Sequence, residues 1–298
     1  MIFVTGASGS IGSRLVDRLR KDGEPLRIGG RRPEALEARW PELDARELDV
    51  HRPLTVGPAL AGVTAAYYLV HSMEPGSGGA FSERDADGAG NFARAALDAG
   101  VERVVYLGGL GEEAGTLSEH LLSRHETGRI LAAEGPPLLE FRAAMVISSD
   151  SASYRMLMDL VDRLPVMVVP RWVDTPSQPI AIDDVLAYLV AGRSIHLGAQ
   201  RTVVEIGGPD VITYRRMIEA AAGRHGRSPL IVGVPFFTPR LSSYWCGLTT
   251  DVPAALARPL IEGMGTPMLV HSKDAEERFP SIHPIAFREA MERAEAGS

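Results

Sequence analysis

The chain has one cysteine among its 298 residues, Cys246, which excludes an internal disulfide and a zinc site built from several cysteines. Because Trp245 precedes it, Cys246 is interpreted as a packed thiol. No apolar run approaches the roughly 20 residues needed to cross a bilayer. The N-terminus also lacks the basic and apolar stretches of a secretory signal. These absences predict a cytoplasmic protein with no membrane span.

Lysine is scarce as well, since Lys21 and Lys273 are the only two and every other basic side chain apart from histidine is an arginine. Any mechanism that needs a lysine between these two positions is therefore excluded. The net charge is −7, and the clustered basic residues that bind phosphate backbones are missing. We therefore expect a small-molecule substrate and no nucleic-acid partner.

Two common kinds of catalytic site are not encoded either. His120 and His125 are five positions apart, and no pair of histidines has the His-x-x-x-His spacing that places two metal ligands on one helix face. Gly-x-Ser-x-Gly does not occur as an elbow between a strand and a helix, and Ser8 belongs to a different glycine-rich loop. The sequence therefore predicts no metal site and no serine hydrolase.

That loop, Thr5-Gly6-Ala7-Ser8-Gly9-Ser10-Ile11-Gly12, is the most informative segment present. It follows an apolar run and opens a helical pattern in which Ile11, Leu15 and Leu19 share one face. Glycines at this spacing allow a tight turn, close approach to a pyrophosphate and helix–strand packing, while the helix N-terminus faces the anion. The pattern predicts a dinucleotide site, with a phosphate-free turn as the alternative. Its predicted contacts are Gly6, Ser8, Gly9, Ser10, Ile11 and Gly12.

A second predicted strand, residues 25–29, leads into Arg31 and Arg32, about 20 residues past the glycines. An acidic residue at this point would bind the ribose 2′-hydroxyl of NAD, whereas arginine suits the 2′-phosphate of NADP. The sequence therefore favours NADP, preferably as NADPH, with NAD possible. In the alternative interpretation both arginines are simply solvated.

The strand ends that follow predict further cofactor contacts. A strand over residues 45–50 ends near Asp49, which either accepts from the adenine amino group or forms a turn before the next helix. The apolar strand 65–70 ends at His71, and the strand 103–107 ends in Gly108-Gly109. Residues 74–90 are predicted to be a long loop, before a helix over 91–99. The predicted additional contacts are Asp49, Val50, Val70, His71, Ser72 and Gly108.

Alternating strands and helices predict a doubly wound parallel sheet, an α/β Rossmann fold whose ligands bind at the carboxyl ends of the strands. A helix reaching Glu134 and a strand over 138–142 complete this pattern, and it loosens after Ala143. In this later part, residues 166–173 are predicted to be strand-like, and Thr213 is predicted to cap a helix that reaches about His225. We therefore predict a nucleotide-binding domain over residues 1–150. A smaller, interleaved substrate region over 151–298 would contribute parts of 180–234 to the sheet.

The sequence resembles the extended and atypical short-chain dehydrogenase/reductases in four segments. These are the glycine loop, Phe141-Arg142, residues 180–185 and the segment from Tyr67 to Met73. The likeness is strongest to NmrA-like and nucleoside-diphosphate-sugar-epimerase-like proteins. The resemblance implies an NAD(P)-dependent protein, a monomer or a dimer, with a Tyr and a Lys four residues later as the usual catalytic pair. It also implies a serine at the end of the fifth strand.

The chain departs from that pattern at every one of these positions. His120 and Arg124 occupy the places of the Tyr and the Lys, and Gly108-Gly109 occupies that of the serine. In one hypothesis Arg124 binds the cofactor ribose and His120 is the general acid, since the ordinary pKa of histidine is close to neutrality. In the other, His120 and His125 are surface or satisfied helix histidines and Arg124 pairs with a nearby glutamate. Competing proton donors are His71, Tyr68 and Tyr154.

We predict an NADP(H)-dependent oxidoreductase that transfers hydride to a small apolar carbonyl, enone or quinone without the usual pair. The alternatives are a non-enzymatic redox sensor or assembly protein, and a non-redox isomerase or lyase on the same fold. An open pocket lined by aromatic side chains would favour an enzyme, and a filled one would favour a binder. The predicted pocket residues are Tyr154, Trp172, Gln178, Tyr244 and Trp245.

Overall fold

The computed structural model describes residues 1–70, 81–111, 117–234 and 263–297. Its first half alternates strictly between strand and helix, as the sequence predicts. The elements are β1 (Ile2–Thr5), α1 (Ser10–Lys21), β2 (Leu26–Gly30), α2 (Pro33–Arg39), β3 (Asp44–Glu47), α3 (Pro53–Leu60), β4 (Ala65–Tyr68), α4 (Phe81–Asp98), β5 (Arg103–Gly109), α5 (Glu119–Glu134) and β6 (Leu138–Ala143).

The second half has short strands between longer helices. Its elements are β7 (Val146–Ile147), α6 (Ala152–Arg163), β8 (Val166–Pro170), a 3₁₀ turn (Arg171–Asp174), β9 (Pro176–Ser177), β10 (Ile180–Ala181), α7 (Ile182–Gly192), β11 (Arg201–Ile206), β12 (Ile212–Thr213), α8 (Tyr214–Arg224), β13 (Leu230–Val234), α9 (Asp274–Arg278) and α10 (Phe287–Ala296). Among the described residues, no helix is long and apolar enough to span a membrane.

Seven parallel strands form the central sheet in the order β11-β6-β5-β4-β1-β2-β3. The order reverses at β1, so a crevice opens beyond the carboxyl ends of β1 and β4, where doubly wound folds bind ligands. The four residues of β1 and the six of β6 are all buried, which is typical of parallel strands covered on both faces. The predicted Rossmann fold is confirmed.

The predicted loop over residues 74–90 is wrong for its second part, because α4 begins at Phe81. Gly88 and Gly90 indicated a loop, yet Gly88 lies within the helix, where an added Cβ would be 2.8 Å from Cγ2 of Val50. The glycine therefore lets the helix approach β3 and its following turn closely. Ala89 and Phe92 pack into the core on the same side. Tertiary packing thus overrides the local preference of glycine for a turn.

The observed ends of two strands differ from the predicted ends, because each predicted strand included the turn after it. The strand predicted over 45–50 is Asp44–Glu47, because Asp49 accepts from the backbone N–H of His51 and turns the chain towards α3. The strand predicted over 166–173 ends at Pro170 and continues as a 3₁₀ turn. Proline has no N–H to extend the ladder, which explains the earlier end.

The residues after β6 build a second hydrophobic core beside the sheet. Its centre contains Leu157 and Val161 of α6, Met217 of α8 and Met291 of α10. The same half of the chain also returns to the first, since β11 pairs with β6 and α7 packs on α1. This places the loop after β6 between the two cores, facing the carboxyl end of the sheet.

Candidate active site

The loop between β1 and α1 is shaped by contacts that leave no room for side chains. Gly6 has φ of +62°, and a Cβ there would be 2.6 Å from the carbonyl oxygen of Leu69. A Cβ on Gly12 would be 2.2 Å from the carbonyl oxygen of Gly6. Backbone atoms cannot give way as a flexible side chain can. These two glycines are therefore required by the geometry of the loop itself.

The N-terminus of α1 is arranged to receive an anion. Gly9 is the N-cap and offers no capping side chain, and the first turn contains no acidic residue. The first N–H groups of the helix have no partners within the helix, so they remain donors for a phosphate. Ser8 and Gly9 are exposed and Ser10 is half-buried. The described residues of this loop therefore fit a dinucleotide pyrophosphate.

A cavity of about 260 Å³ lies beside this loop, at the carboxyl ends of β5 and β6. Most of its wall is aliphatic or methionine, so it suits a ligand with an apolar body. The polar side chains on its wall come from α1, α5, α6 and the first turn of α8. The residues that line the cavity include Ser10, Ile11, Gly108, His120, Leu121, Arg124, Met145, Ser151, Ser153, Tyr214, Met264 and Met268.

His120 and Arg124 both line the cavity, one helical turn apart on α5, as their spacing predicts. Ser118 caps the helix by accepting from the backbone N–H of Leu121 at 3.4 Å. The Arg124 guanidinium donates to the carbonyl oxygen of Leu107 at 2.5 Å. This bond holds the cation at the carboxyl end of β5.

The glycines at the end of β5 make this arrangement possible. A Cβ on Gly109 would be 2.6 Å from Cδ2 of Leu121 and 3.5 Å from Cδ of Arg124. A Cβ on Gly108 would be 3.2 Å from Oε1 of Glu140. A side chain at Gly109 would push Leu121 aside, and one at Gly108 would press on the buried Glu140 carboxylate. Gly109 therefore lets α5, which carries His120 and Arg124, pack closely beside the end of β5.

Buried polar contacts fix α5 against the sheet. The Tyr106 hydroxyl donates to the backbone carbonyl of Arg124 at 3.0 Å, and Nε2 of His125 lies 3.0 Å from the carbonyl oxygen of Gly109. Ser123 donates to Asp85 at 3.0 Å, which ties α5 to α4. Burial raises the pKa of Tyr106 to about 12, so its hydroxyl stays protonated and can donate. His125, predicted as a surface or satisfied helix histidine, is fully buried and structural.

The residues predicted to contact the adenosine are exposed or half-buried, apart from Val50. Arg31 and Arg32 are both exposed at the carboxyl end of β2, on the edge of the crevice. Asp49 is half-buried and its Oδ1 accepts from the N–H of His51, the turn-forming role left open above. Val50 is buried and Val70 half-buried. Contacts of these residues with adenosine stay predictions.

Three of the predicted site residues do not line this cavity. Tyr154 is buried in the second core, where burial and the charge of Glu295 raise the pKa of its hydroxyl. Gln178 donates to the carbonyl oxygen of Gly208 and accepts from the N–H of Val270, so it ties loops together. Tyr68 packs against Phe92 with ring centroids 4.9 Å apart.

The structure does not describe the side chains of the other predicted site residues. His71, Ser72, Tyr244 and Trp245 fall in segments outside the described residues. Trp172 belongs to the 3₁₀ turn, and only its backbone is described. The described wall is therefore aliphatic rather than aromatic, and Tyr214 is the aromatic residue found on it.

Tyr214 is the site residue that sequence reasoning missed. It is the first residue of α8 after the predicted N-cap Thr213, whose hydroxyl accepts from the N–H of Arg216 at 3.3 Å. Burial raises the pKa of Tyr214 to about 12, so the phenol is neutral and can donate a hydrogen bond. Only the packing of α8 against the loop after β6 shows that it reaches the cavity.

Comparison with known proteins supports the predicted nucleotide site. Residues 6–135 match a family model described as NAD(P)H-binding. The match runs from the phosphate loop to the end of α5. A ceramide reductase from Caulobacter vibrioides is 25% identical over 240 residues, 79% of this chain and 74% of the relative.

Solved structures show the same fold over nearly the whole chain. An NADPH-dependent quinone oxidoreductase from Escherichia coli, complexed with NADPH, has a TM-score of 0.77 at 19% identity, covering 98% of this chain and 99% of the other. A nucleoside-diphosphate-sugar epimerase from Staphylococcus aureus has a TM-score of 0.76 at 16% identity, covering 97% and 99%. These similarities show the Rossmann-like α/β fold over nearly the whole chain, and together with the match over residues 6–135 they agree with the predicted resemblance to the atypical short-chain dehydrogenase/reductases.

Proposed function

We propose that this protein is an NADPH-dependent reductase of a small, mostly apolar carbonyl, enone or quinone. The observation that carries the proposal is the apolar cavity beside the phosphate loop, with His120 and Arg124 on its wall. A hydride donor bound across the carboxyl ends of β1 and β4 would face this cavity. Apolar lining with a few polar groups is what a reductase needs to bind a neutral substrate and protonate its reduced oxygen.

The phosphate loop, Arg31 and Arg32 supply the dinucleotide part of the proposal. The loop offers the N-terminal donors of α1, and the two exposed cations lie about 20 residues further on, at the end of β2. Arginine binds a phosphate through two parallel charge-assisted hydrogen bonds, which supports NADPH over NADH. When bound, the nicotinamide supplies the hydride.

Arg124 takes the place of the missing lysine in this proposal. Its guanidinium is held at the carboxyl end of β5 by the carbonyl oxygen of Leu107, with donors remaining for a ribose hydroxyl. His120 lies one turn earlier on the same wall and is our first choice for the proton donor. Tyr214 is the competing donor, since its neutral phenol also lines the cavity.

The relatives support the reaction class but not one substrate. The names of the Caulobacter protein and of the Escherichia coli protein describe a ceramide reductase and a quinone oxidoreductase. Ceramides and quinones are both largely apolar, in keeping with the aliphatic and methionine wall described here. Methionine side chains adapt to differently shaped ligands, which fits a cavity built for an apolar body.

The test is steady-state NADPH oxidation with a panel of quinones, enones and aliphatic ketones, on wild type, His120→Asn and Tyr214→Phe. Loss of a general acid costs about 10²- to 10⁴-fold in rate, so the true donor is the one whose variant loses kcat while its NADPH affinity persists. His196→Asn is the matched control, because His196 is exposed and remote in sequence from the cavity. Tight NADPH binding without oxidation by any substrate would contradict the reductase.

That last outcome would support a dinucleotide-binding sensor instead. The specific observation in its favour is that Gly108-Gly109 and Arg124 replace the family's serine and lysine while the phosphate loop is intact. A binder needs the loop and not the proton donor. Comparing wild type with His120→Asn separates the two functions, because only an enzyme loses turnover in the variant.

A further inference from the structure

A carboxylate from the substrate side of the molecule touches the phosphate loop. Asp150 lies between β7 and α6, and its Oδ1 accepts from the hydroxyl of Ser10 at 2.8 Å. The same oxygen accepts from Nη2 of Arg14 at 3.1 Å and from the hydroxyl of Ser148 at 2.5 Å. One anionic oxygen therefore gathers three donors, two of them from the first turns of α1.

Ser10 and Arg14 are donors that a pyrophosphate would also use. Ser10 is the first residue of α1, and Arg14 lies one turn further along the helix. Nε of Arg14 is buried and has no hydrogen-bond partner within the described parts of the chain. Arg14 therefore keeps a donor that Asp150 does not satisfy. The site around Arg14 can therefore accommodate more negative charge than the Asp150 carboxylate provides.

Asp150 is ionised under ordinary conditions. Burial raises the pKa of its carboxyl, but hydrogen bonds from Ser148, Ser10 and Arg14 outweigh this and hold the pKa below its usual value. Without a dinucleotide, the carboxylate satisfies Ser10 and Arg14. With a dinucleotide present, two anions would compete for the same donors at one helix N-terminus.

We propose that Asp150 is an internal anion that competes with the dinucleotide pyrophosphate for Ser10 and Arg14, and thereby limits cofactor affinity. Arg14 pairs with Asp150 in the absence of the dinucleotide and would pair with the pyrophosphate in its presence. Ser151, which follows Asp150 and is the N-cap of α6, and Ser153 in the first turn of that helix both line the cavity. Release of the carboxylate therefore links cofactor binding to the shape of the substrate site. This inference rests on the proposed binding of NADPH.

The test is calorimetric titration of NADPH into wild type, Asp150→Asn, Arg14→Gln and the double variant. We expect Asp150→Asn to bind NADPH about two- to fivefold more tightly, the effect of removing one charge at a helix N-terminus. Arg14→Gln should bind more weakly by a similar factor, and the double variant should return close to wild type. Glu42→Gln is the matched control, because it removes a carboxylate that pairs with Arg20 at the other end of α1.

A second readout needs no cofactor. Ligand-free Asp150→Asn should unfold at a lower temperature than ligand-free wild type, because it loses the charge-assisted bonds from Ser10 and Arg14. Equal or weaker NADPH binding by Asp150→Asn, beside normal binding by wild type, would overturn the inference and leave the proposed function standing. An unchanged unfolding temperature would also count against it. Absence of binding in all four proteins would overturn both.

Discussion

Substituting Gly12 by alanine tests the phosphate loop most directly. The added Cβ would lie 2.2 Å from the carbonyl oxygen of Gly6, 2.9 Å from its carbonyl carbon and 3.2 Å from Cα of Ala7. All three are backbone atoms, so no side chain can move aside. Either the turn between β1 and α1 opens, or α1 moves away from the sheet.

The cost follows from the usual penalty for overpacking, about 1–3 kcal/mol. If all of it fell on the bound geometry, NADPH affinity would drop by a factor of about 5 to 150, since about 1.4 kcal/mol is tenfold. Stability should fall too, because Leu15 and Val16 of α1 are fully buried and must move with the helix. We expect both a weaker Kd and a lower urea midpoint.

Gly223→Ala is the matched control. Gly223 lies near the end of α8, and nothing comes within 4 Å of a Cβ added there. Alanine in an exposed helical position is more favourable than glycine by up to about 1 kcal/mol. Fluorescence titration with NADPH and urea unfolding of both variants check the prediction. If Gly12→Ala matched Gly223→Ala in both measurements, the close approach of α1 to the loop would not be what the function requires.

Three other substitutions test the cofactor preference, the buried charges and the role of one tyrosine. Arg31→Ala should weaken NADPH binding by tenfold or more while sparing NADH, measured by fluorescence titration with Arg32→Ala in parallel; equal losses for both nucleotides would refute a 2′-phosphate contact. Glu140→Ala should lower the free energy of unfolding by about 3–5 kcal/mol, because it removes the carboxylate 2.7 Å from Nε of buried Arg142; a urea-unfolding loss below about 1 kcal/mol would contradict this. Tyr154→Phe should keep both stability and NADPH oxidation, because its buried hydroxyl has no hydrogen-bond partner among the described residues; lost turnover would make Tyr154 the proton donor after all.

The fold could be predicted because its determinants are local. Apolar strands without alternation, the glycine loop and Leu15 and Leu19 at helical spacing define strand–turn–helix units, and parallel strands joined by helices build one kind of sheet. The helix N-cap at Thr213 was equally readable, since a capping side chain acts within three residues. These features depend on neighbours in sequence.

The errors arose where a distant contact decides a local choice. Gly88 suggested a loop until the packing of α4 beside Val50 gave it a helical role. Tyr154, a predicted pocket residue, packs in the second core, a placement that only the packing of distant elements shows. The wall of the cavity is built by methionines and Tyr214 from segments far apart in the chain. Helical periodicity shows that a residue is buried, but not against what.

The sequence by itself determined the sheet, the phosphate loop and the pairing of His120 with Arg124 on one helical face, because each depends on spacing within a single element. The tertiary structure alone decided that Gly109 makes room for that helix, that Tyr214 reaches the cavity and that Asp150 meets Ser10 across 140 residues. Those contacts join elements whose relative placement is set by the packing of two cores. Such packing reflects the sum of many weak, non-directional apolar contacts, and no short stretch of sequence encodes it.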